Sequence, residues 1–381
     1  MGTHLSSDQF KTQAMNETGL TDFGGNTYEA GLEAFLESLN TEIPKDRDTG
    51  YFQQIILHLL KNRLEVTRFI GAHPEILEEK IQAPVFIVGL PRSGTTILHT
   101  LLSLDPMARY LRNFETTGPV CPPPELMPKV PDPRIQPTHD ALEGLFAMAP
   151  ELRGINGINF MAQGTAECQN LMAHEFVHMG WSAGSSLFSH GNWVGDCNMT
   201  AAYEWHKRIL QMLQWKHPNQ HWVLKAPIHL FGLGQLLETY PDARLIFTHR
   251  NPVDAMVSGV SMVARWSRFT TGRADIPAIA DWYPALWAKG LERTLKIKSS
   301  LPENSYTEIH HGDLSRAPID TVAGACDRLR LSLSPAAERR MEVWLRDNPR
   351  TGFGTHNCSA EDFGLDPGRI KKTFSFYREA I

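Results

Sequence analysis

Cysteine is scarce in this chain: there are five in 381 residues (Cys121, Cys168, Cys197, Cys326 and Cys358), widely spaced and without a C-x-x-C pair. An odd, scattered set excludes a disulfide-stapled scaffold and a four-cysteine zinc ribbon, and it fits a reduced, cytoplasmic setting. No stretch approaches the ~20 consecutive apolar residues of a membrane span, and the polar start Met1 to Phe10 has no signal-peptide core. Met1-Gly2 with Ser6 fits the short myristoylation pattern, which a cloning remnant would match equally well. An excess of positive charge is also missing. The formal net charge of −5 argues against nonspecific binding to nucleic acid or to anionic membranes. An anionic ligand must then be captured by a local basic site. No internal repeat or low-complexity tract is present, and an apolar content of 42% with 21% charged residues describes an ordinary globular chain.

One further absence is a lysine. The run Ala83-Pro-Val-Phe-Ile-Val-Gly-Leu-Pro-Arg-Ser-Gly-Thr-Thr-Ile-Leu-His-Thr-Leu-Leu102 reads as an apolar strand, a glycine-bounded loop and the first turns of a helix. Backbone N–H groups of such a loop and the positive end of the following helix converge on an anion. Gly89-x4-Gly94 has P-loop spacing, yet Thr95 stands where the phosphate lysine belongs and the cation has moved to Arg92. Without that lysine, and without an Asp-ending strand placed to hold Mg²⁺, transfer of a different anionic group is favoured over nucleoside-triphosphate chemistry.

Two later segments have the same strand-turn-helix grammar. Ala243-Arg-Leu-Ile-Phe-Thr-His-Arg-Asn-Pro-Val-Asp-Ala-Met-Val-Ser258 places Arg250 at a strand's carboxyl end, Pro252 in the first helical turn and Ser258 eight residues after Arg250. Trp222-Val-Leu-Lys-Ala-Pro-Ile-His229 is a buried-type strand ending in Lys225, with His229 opening a helix expected over Leu230 to Tyr240.

Pro91-Arg-Ser-Gly-Thr-Thr96 resembles the 5′-phosphosulfate loop of sulfotransferases, which use 3′-phosphoadenosine-5′-phosphosulfate (PAPS) as donor. With the later Arg-x-Pro motif, the chain resembles the bacterial-type branch of that family over roughly residues 82–380. The likeness includes Thr307-Glu-Ile-His-His-Gly-Asp-Leu314, the tail Gly354 to Leu365 and the amino-terminal pattern Thr18 to Gly24. The resemblance implies that Arg92, Ser93, Gly94, Thr95 and Thr96 hold the 5′ side of PAPS, and that Arg250 and Ser258 hold its 3′-phosphate. Lys225 would assist the leaving group with Arg92, and no metal is needed. For the base that takes the acceptor's proton the resemblance offers His229 first. Glu115, in Leu111-Arg-Asn-Phe-Glu115, is second, and His99 is a weaker third. Lys225 and His229 stand four residues apart, a wider spacing than in the cytosolic enzymes. The acceptor expected is a small, partly apolar molecule with a hydroxyl; its identity and the oligomeric state do not follow from the sequence.

Apolar residues at three-to-four spacing (Leu32, Phe35, Leu36, Leu39; Ile55, Ile56, Leu59, Leu60, Leu64) predict helices over 27–80, a helical extension assigned to residues 1–81. From residue 82 to 381 strands near 85–88, 222–225, 245–248 and 306–310 alternate with helices. That alternation predicts an α/β fold, a P-loop-like three-layer sandwich with a central parallel sheet, whose ligand sits at the strands' carboxyl ends. A helical acceptor-site insertion is expected at about 115–215, entered through the breaker-rich loop Thr117 to Pro128. Two other chemistries compete. His174-Glu-Phe-Val-His178 matches the H-E-x-x-H zinc motif, with Glu175 as base, although Trp181 stands where the metzincin continuation needs glycine. A P-loop kinase or nucleotide-binding module would share the fold and differ in donor.

Overall fold

The computed structural model describes residues 4–122, 131–156, 161–217, 221–349 and 358–380. Met1-Gly2, residues 123–128 of the proline-rich loop and residues 354–357 of the tail motif lie outside the described residues.

Five strands form one sheet: β1 (Val85–Gly89), β2 (Ala108–Arg109), β3 (His221–Lys225), β4 (Arg244–His249) and β5 (Tyr306–His310). Their order is β2-β3-β1-β4-β5 and every neighbouring pair is parallel. Helices cover both faces, so β1 is buried along its whole length and reads as an unbroken apolar run. The period of two along the strands sorts side chains between two cores. Val85, Ile87, Val223, Ile246 and Ile309 pack with Leu98, Leu101, Val322 and Met341 on one face. Phe86, Val88, Trp222, Leu224, Leu245 and Phe247 pack with Ile209, Leu236, Met256 and Leu291 on the other.

The amino-terminal helices Ser7–Thr18, Glu29–Glu42 and Gly50–Ala72 bury Leu32, Phe35, Leu36 and Leu39 against Ile56, Leu60, Phe176 and Leu187. Arg63 fastens them to the rest of the chain. Its guanidinium bonds to Glu175 Oε1 at 2.7 Å, to the Phe23 carbonyl at 2.8 Å and to the His174 carbonyl at 3.0 Å. The rings of Tyr28 and Trp205 lie 4.6 and 4.0 Å from it.

That clamp corrects the zinc reading of residues 174–178. Glu175 is consumed by Arg63, and the five residues do not form one helical turn. Ala173–Glu175 is a short 3₁₀ turn, Phe176 is left-handed at φ 56, and His178 caps the next helix by accepting from the Trp181 N–H at 3.1 Å. His174 and His178 therefore do not stack on one face, and among the described residues no group of three ligating side chains could hold a metal ion. The helix expected over Leu230 to Tyr240 is likewise divided, into a 3₁₀ turn Pro227–Leu230 and a helix Leu233–Thr239. Gly232, at φ −122 and ψ 27, is the cap of the second piece, and a Cβ there would meet Met199 Sδ at 2.6 Å. No helix of the described residues is long and apolar enough to cross a membrane.

Candidate active site

The phosphate-loop geometry begins where β1 meets β4. A Cβ on Gly89 would lie 2.1 Å from Thr248 Oγ1, so only glycine lets the two strand ends close together. Ser93 Oγ occupies the gap, 2.6 Å from both the Leu90 carbonyl and Thr248 Oγ1. The loop then turns through left-handed residues, Arg92 at φ 67 and Gly94 at φ 90. Glycine suits such a φ; a non-glycine residue held there is strained. The helix Thr95–Leu102 follows with no side-chain cap on its first turn, which leaves its amino-terminal dipole facing the loop.

Arg92, Arg250 and Ser258 come together across more than 150 residues of sequence. Arg92 Nε donates to Ser258 Oγ at 3.1 Å, and Arg250 Nη1 donates to the Arg92 carbonyl at 2.7 Å. Burial pushes both guanidinium pKa values down; Arg250 adds repulsion at Arg92, which the Tyr283 hydroxyl opposes. The described salt bridges include neither arginine, whereas the buried Arg63 and Arg109 each have a glutamate. Asp254 is the carboxylate that acts on Arg250, and it does so without a described salt bridge. Two neighbouring, partly buried cations outside the described salt bridges make a site shaped for an anion.

At the end of β3, Lys225 is fully buried and its Nζ lies 2.5 Å from Glu167 Oε1. Gln169 Nε2 donates to the other oxygen at 2.5 Å, and the Glu167 side chain keeps 23% exposure, so it borders open space. Tyr283 comes from the helix Ile276–Lys298. It is 1% exposed and interacts electrostatically with Arg92 and Glu167. It packs on Gly259, where a Cβ would be 2.8 Å from the hydroxyl. Arg92, Ser258, Tyr283, Lys225 and Glu167 thus border one region at the carboxyl ends of β1, β3 and β4.

Glu167 was not singled out by any motif. It lies in Gln163-Gly-Thr-Ala-Glu-Cys-Gln169, and the only signal is a charged residue in a polar interruption of a helical, apolar stretch.

The three sequence-derived base candidates have other surroundings. His229 is fully buried, its Nδ1 2.8 Å from the Tyr203 hydroxyl and its ring edge-on to Phe86 at 5.2 Å. Burial above all, then His206 and Lys225, pushes its pKa well below the ordinary value, so it holds a proton poorly. Glu115 is buried with both oxygens engaged: Oε1 by Arg109 Nη2 at 2.5 Å, Oε2 by Arg109 Nη1 at 3.1 Å and by the Arg112 N–H at 3.0 Å. Burial raises its pKa, but Arg109 and Arg112 outweigh that and hold it below the usual value. His99 points into the sheet, Nε2 3.1 Å from the Val223 carbonyl, and burial takes its pKa to about 3.

A family model described as "Sulfotransferase family" matches residues 84–335. The structure of sulfotransferase STF1 from Mycobacterium tuberculosis H37Rv superposes with a TM-score of 0.84 at 26% identity, covering 99% of this chain and 100% of that one. Sulfotransferase STF9 from Mycobacterium avium gives a TM-score of 0.86 at 24% identity, covering 99% and 96%. No curated protein sequence matches significantly.

Proposed function

Because the chain belongs to the sulfotransferase family, we propose that it transfers a sulfuryl group from PAPS to a hydroxyl of a small, partly apolar acceptor. One observation carries this reading: two cationic arms, Arg92 in the loop after β1 and Arg250 after β4, are joined at 2.7 Å and stand outside the described salt bridges. A donor with a 5′-phosphosulfate and a separate 3′-phosphate needs two anion sites, and the residues present fit one arm to each.

In this reading Ser93, Gly94, Thr95 and Thr96 receive the 5′ side through loop N–H groups and hydroxyls, while Arg250 and Ser258 receive the 3′-phosphate. As the bond between sulfur and the phosphate oxygen breaks, negative charge gathers on that oxygen, and Arg92 and Lys225 stabilise it as preoriented donors. The bond between sulfur and the acceptor oxygen forms on the opposite side, and the acceptor's proton goes to a carboxylate or imidazole. We assign that role to Glu167 in preference to His229 or Glu115, because it borders open space beside Lys225. When Lys225 turns to the leaving oxygen, Glu167 Oε1 is released to accept the proton. A partly apolar acceptor fits the satellite cluster in which Phe146 and Leu152 meet Met262, Trp266 and Phe269, beyond Ser258 on the helix Pro252–Thr271. Five cysteines without a disulfide suit a reduced, cytoplasmic setting.

The test is ligand-induced stabilisation. Adenosine 3′,5′-bisphosphate at ~100 times its Kd should stabilise the protein by about 2.7 kcal/mol, and ATP with Mg²⁺ far less. Equal or greater stabilisation by ATP would overturn the PAPS reading in favour of a kinase-like donor.

A further inference from the structure

The strand that delivers Arg250 ends in a polar chain that the proposed reaction does not use. His249, the last residue of β4, is 3% exposed. Its Nε2 lies 2.9 Å from Glu308 Oε1 on β5, and Glu308 also pairs with Lys298. Its Nδ1 lies 2.6 Å from the hydroxyl of Tyr377, four residues before Ile381. The carboxylate at Nε2 selects the tautomer with the proton on that nitrogen. Nδ1 is then an acceptor, Tyr377 is its donor, and the phenol oxygen turns its lone pairs toward the backbone N–H of Arg250, which lies against it.

Tyr377 is firmly placed. It is 1% exposed and shares a core with Leu365, Ile370 and Phe374 and with Ala255 and Met256 of the helix that follows Arg250. Arg369 ion-pairs with Asp281 on the neighbouring helix Ile276–Lys298. The carboxyl-terminal segment therefore reaches the peptide that sets where the Arg250 guanidinium points.

We infer that Tyr377 is a positioning residue for the 3′-phosphate arm, so that donor binding and docking of the carboxyl-terminal segment are thermodynamically coupled; this rests on the reading of Arg250 given above. Arg250 must hold its guanidinium on the Arg92 carbonyl while presenting the remaining N–H groups to a phosphate. It follows directly on His249 and precedes the cap Asn251 and Pro252, so its main chain is held on one side by the helix and on the other by the His249–Tyr377 pair. Loss of the phenol hydroxyl leaves His249 Nδ1 buried without a donor and frees the Arg250 peptide to rotate.

The experiment compares two commercial nucleotides, adenosine 3′,5′-bisphosphate and adenosine 5′-monophosphate, which differ by the 3′-phosphate. Calorimetric Kd values would be measured for the wild type, Tyr377→Phe and Arg250→Ala, with a thermal melt for each. Tyr377→Phe is expected to weaken the bisphosphate by about 5–10-fold while leaving the monophosphate within about twofold. By reciprocity the bisphosphate, but not the monophosphate, should slow hydrogen exchange in residues 374–377 of the wild type. If Arg250→Ala weakens both nucleotides alike, the donor reading itself fails. If Arg250→Ala is selective while Tyr377→Phe leaves the ratio unchanged, or loses both nucleotides in parallel with its melting temperature, Tyr377 is only structural and the coupling is refuted. Unaltered exchange on adding the bisphosphate would refute it as well.

Discussion

Lowering the pH should unfold this protein well before its carboxylates titrate, because the fold hides neutral imidazoles. Burial takes the pKa values of His99, His174, His178 and His206 to about 3 and that of His190 to about 4. His229 is displaced in the same direction. A folded pKa below the unfolded value of about 6.5 means that the unfolded chain binds more protons between the two. The stabilisation is therefore complete above pH ~6.5 and is lost as pH falls toward the folded values. Each such histidine removes about 1 kcal/mol at pH 6 and about 2 kcal/mol at pH 5. Five together remove about 10 kcal/mol at pH 5, comparable with the roughly 5–15 kcal/mol that holds a domain folded. Carboxylates held low, such as Glu115, contribute in the same sense only below its reference value of 4.5. Urea unfolding followed by circular dichroism from pH 7.5 to 5 should show stability falling ever more steeply below pH 6.5. Calorimetry in buffers of different ionisation enthalpy should register uptake of about five protons on unfolding near pH 5. A protein as stable at pH 5 as at pH 7, or one taking up fewer than about two protons, would refute the account.

Glu175→Gln should destabilise the protein by about 3 kcal/mol in urea titrations, since it leaves Arg63 charged and buried; a change below about 1 kcal/mol would show that the clamp is incidental. Glu167→Gln should lower kcat for sulfuryl transfer from radiolabelled PAPS to a panel of phenols and alcohols by roughly 10²–10⁴. Its affinity for adenosine 3′,5′-bisphosphate should stay near wild type, and a normal rate would return the base assignment to His229 or Glu115. Gly94→Ala should cost about 1–2 kcal/mol, because φ 90 suits glycine and the new Cβ would press on His311 at 3.2 Å. It should also weaken the bisphosphate, and a thermal melt and a titration check both effects.

The sheet was legible where burial on both faces demands apolar runs, at 85–88, 222–225 and 245–248, and at the edge segment 306–310, where burial alternates; each stands within a residue of β1, β3, β4 or β5. The edge strand β2 was not, because Ala108 and Arg109 carry no pattern and pair only with His221 and Trp222. Motif spacing brought Arg92, Arg250 and Ser258 into one place because Arg92 and Arg250 follow the ends of adjacent core strands and Ser258 lies in the second turn of the helix after Arg250. It said nothing about Glu167, which reaches Lys225 from 58 residues away along an irregular loop. Letters alone also misled at His174 to His178, where the left-handed Phe176 breaks the periodicity that the zinc motif presupposes. Tyr377 was invisible because its partner is fixed by tertiary packing of the last helix.

The junction of Arg250 with the Arg92 carbonyl has a consequence for how the chain can evolve. Like charges drawn together, one of them on a strained left-handed residue, oppose folding in the absence of a ligand. Where that repulsion and burial outweigh the bond to the Arg92 carbonyl and the attraction of Asp254, neutral substitutions at position 250 should make the empty protein more stable, and selection on stability alone would drift toward them. Retention of both arginines in a lineage then records continued selection for anion binding, and stabilising screens run without nucleotide would preferentially recover disabled variants.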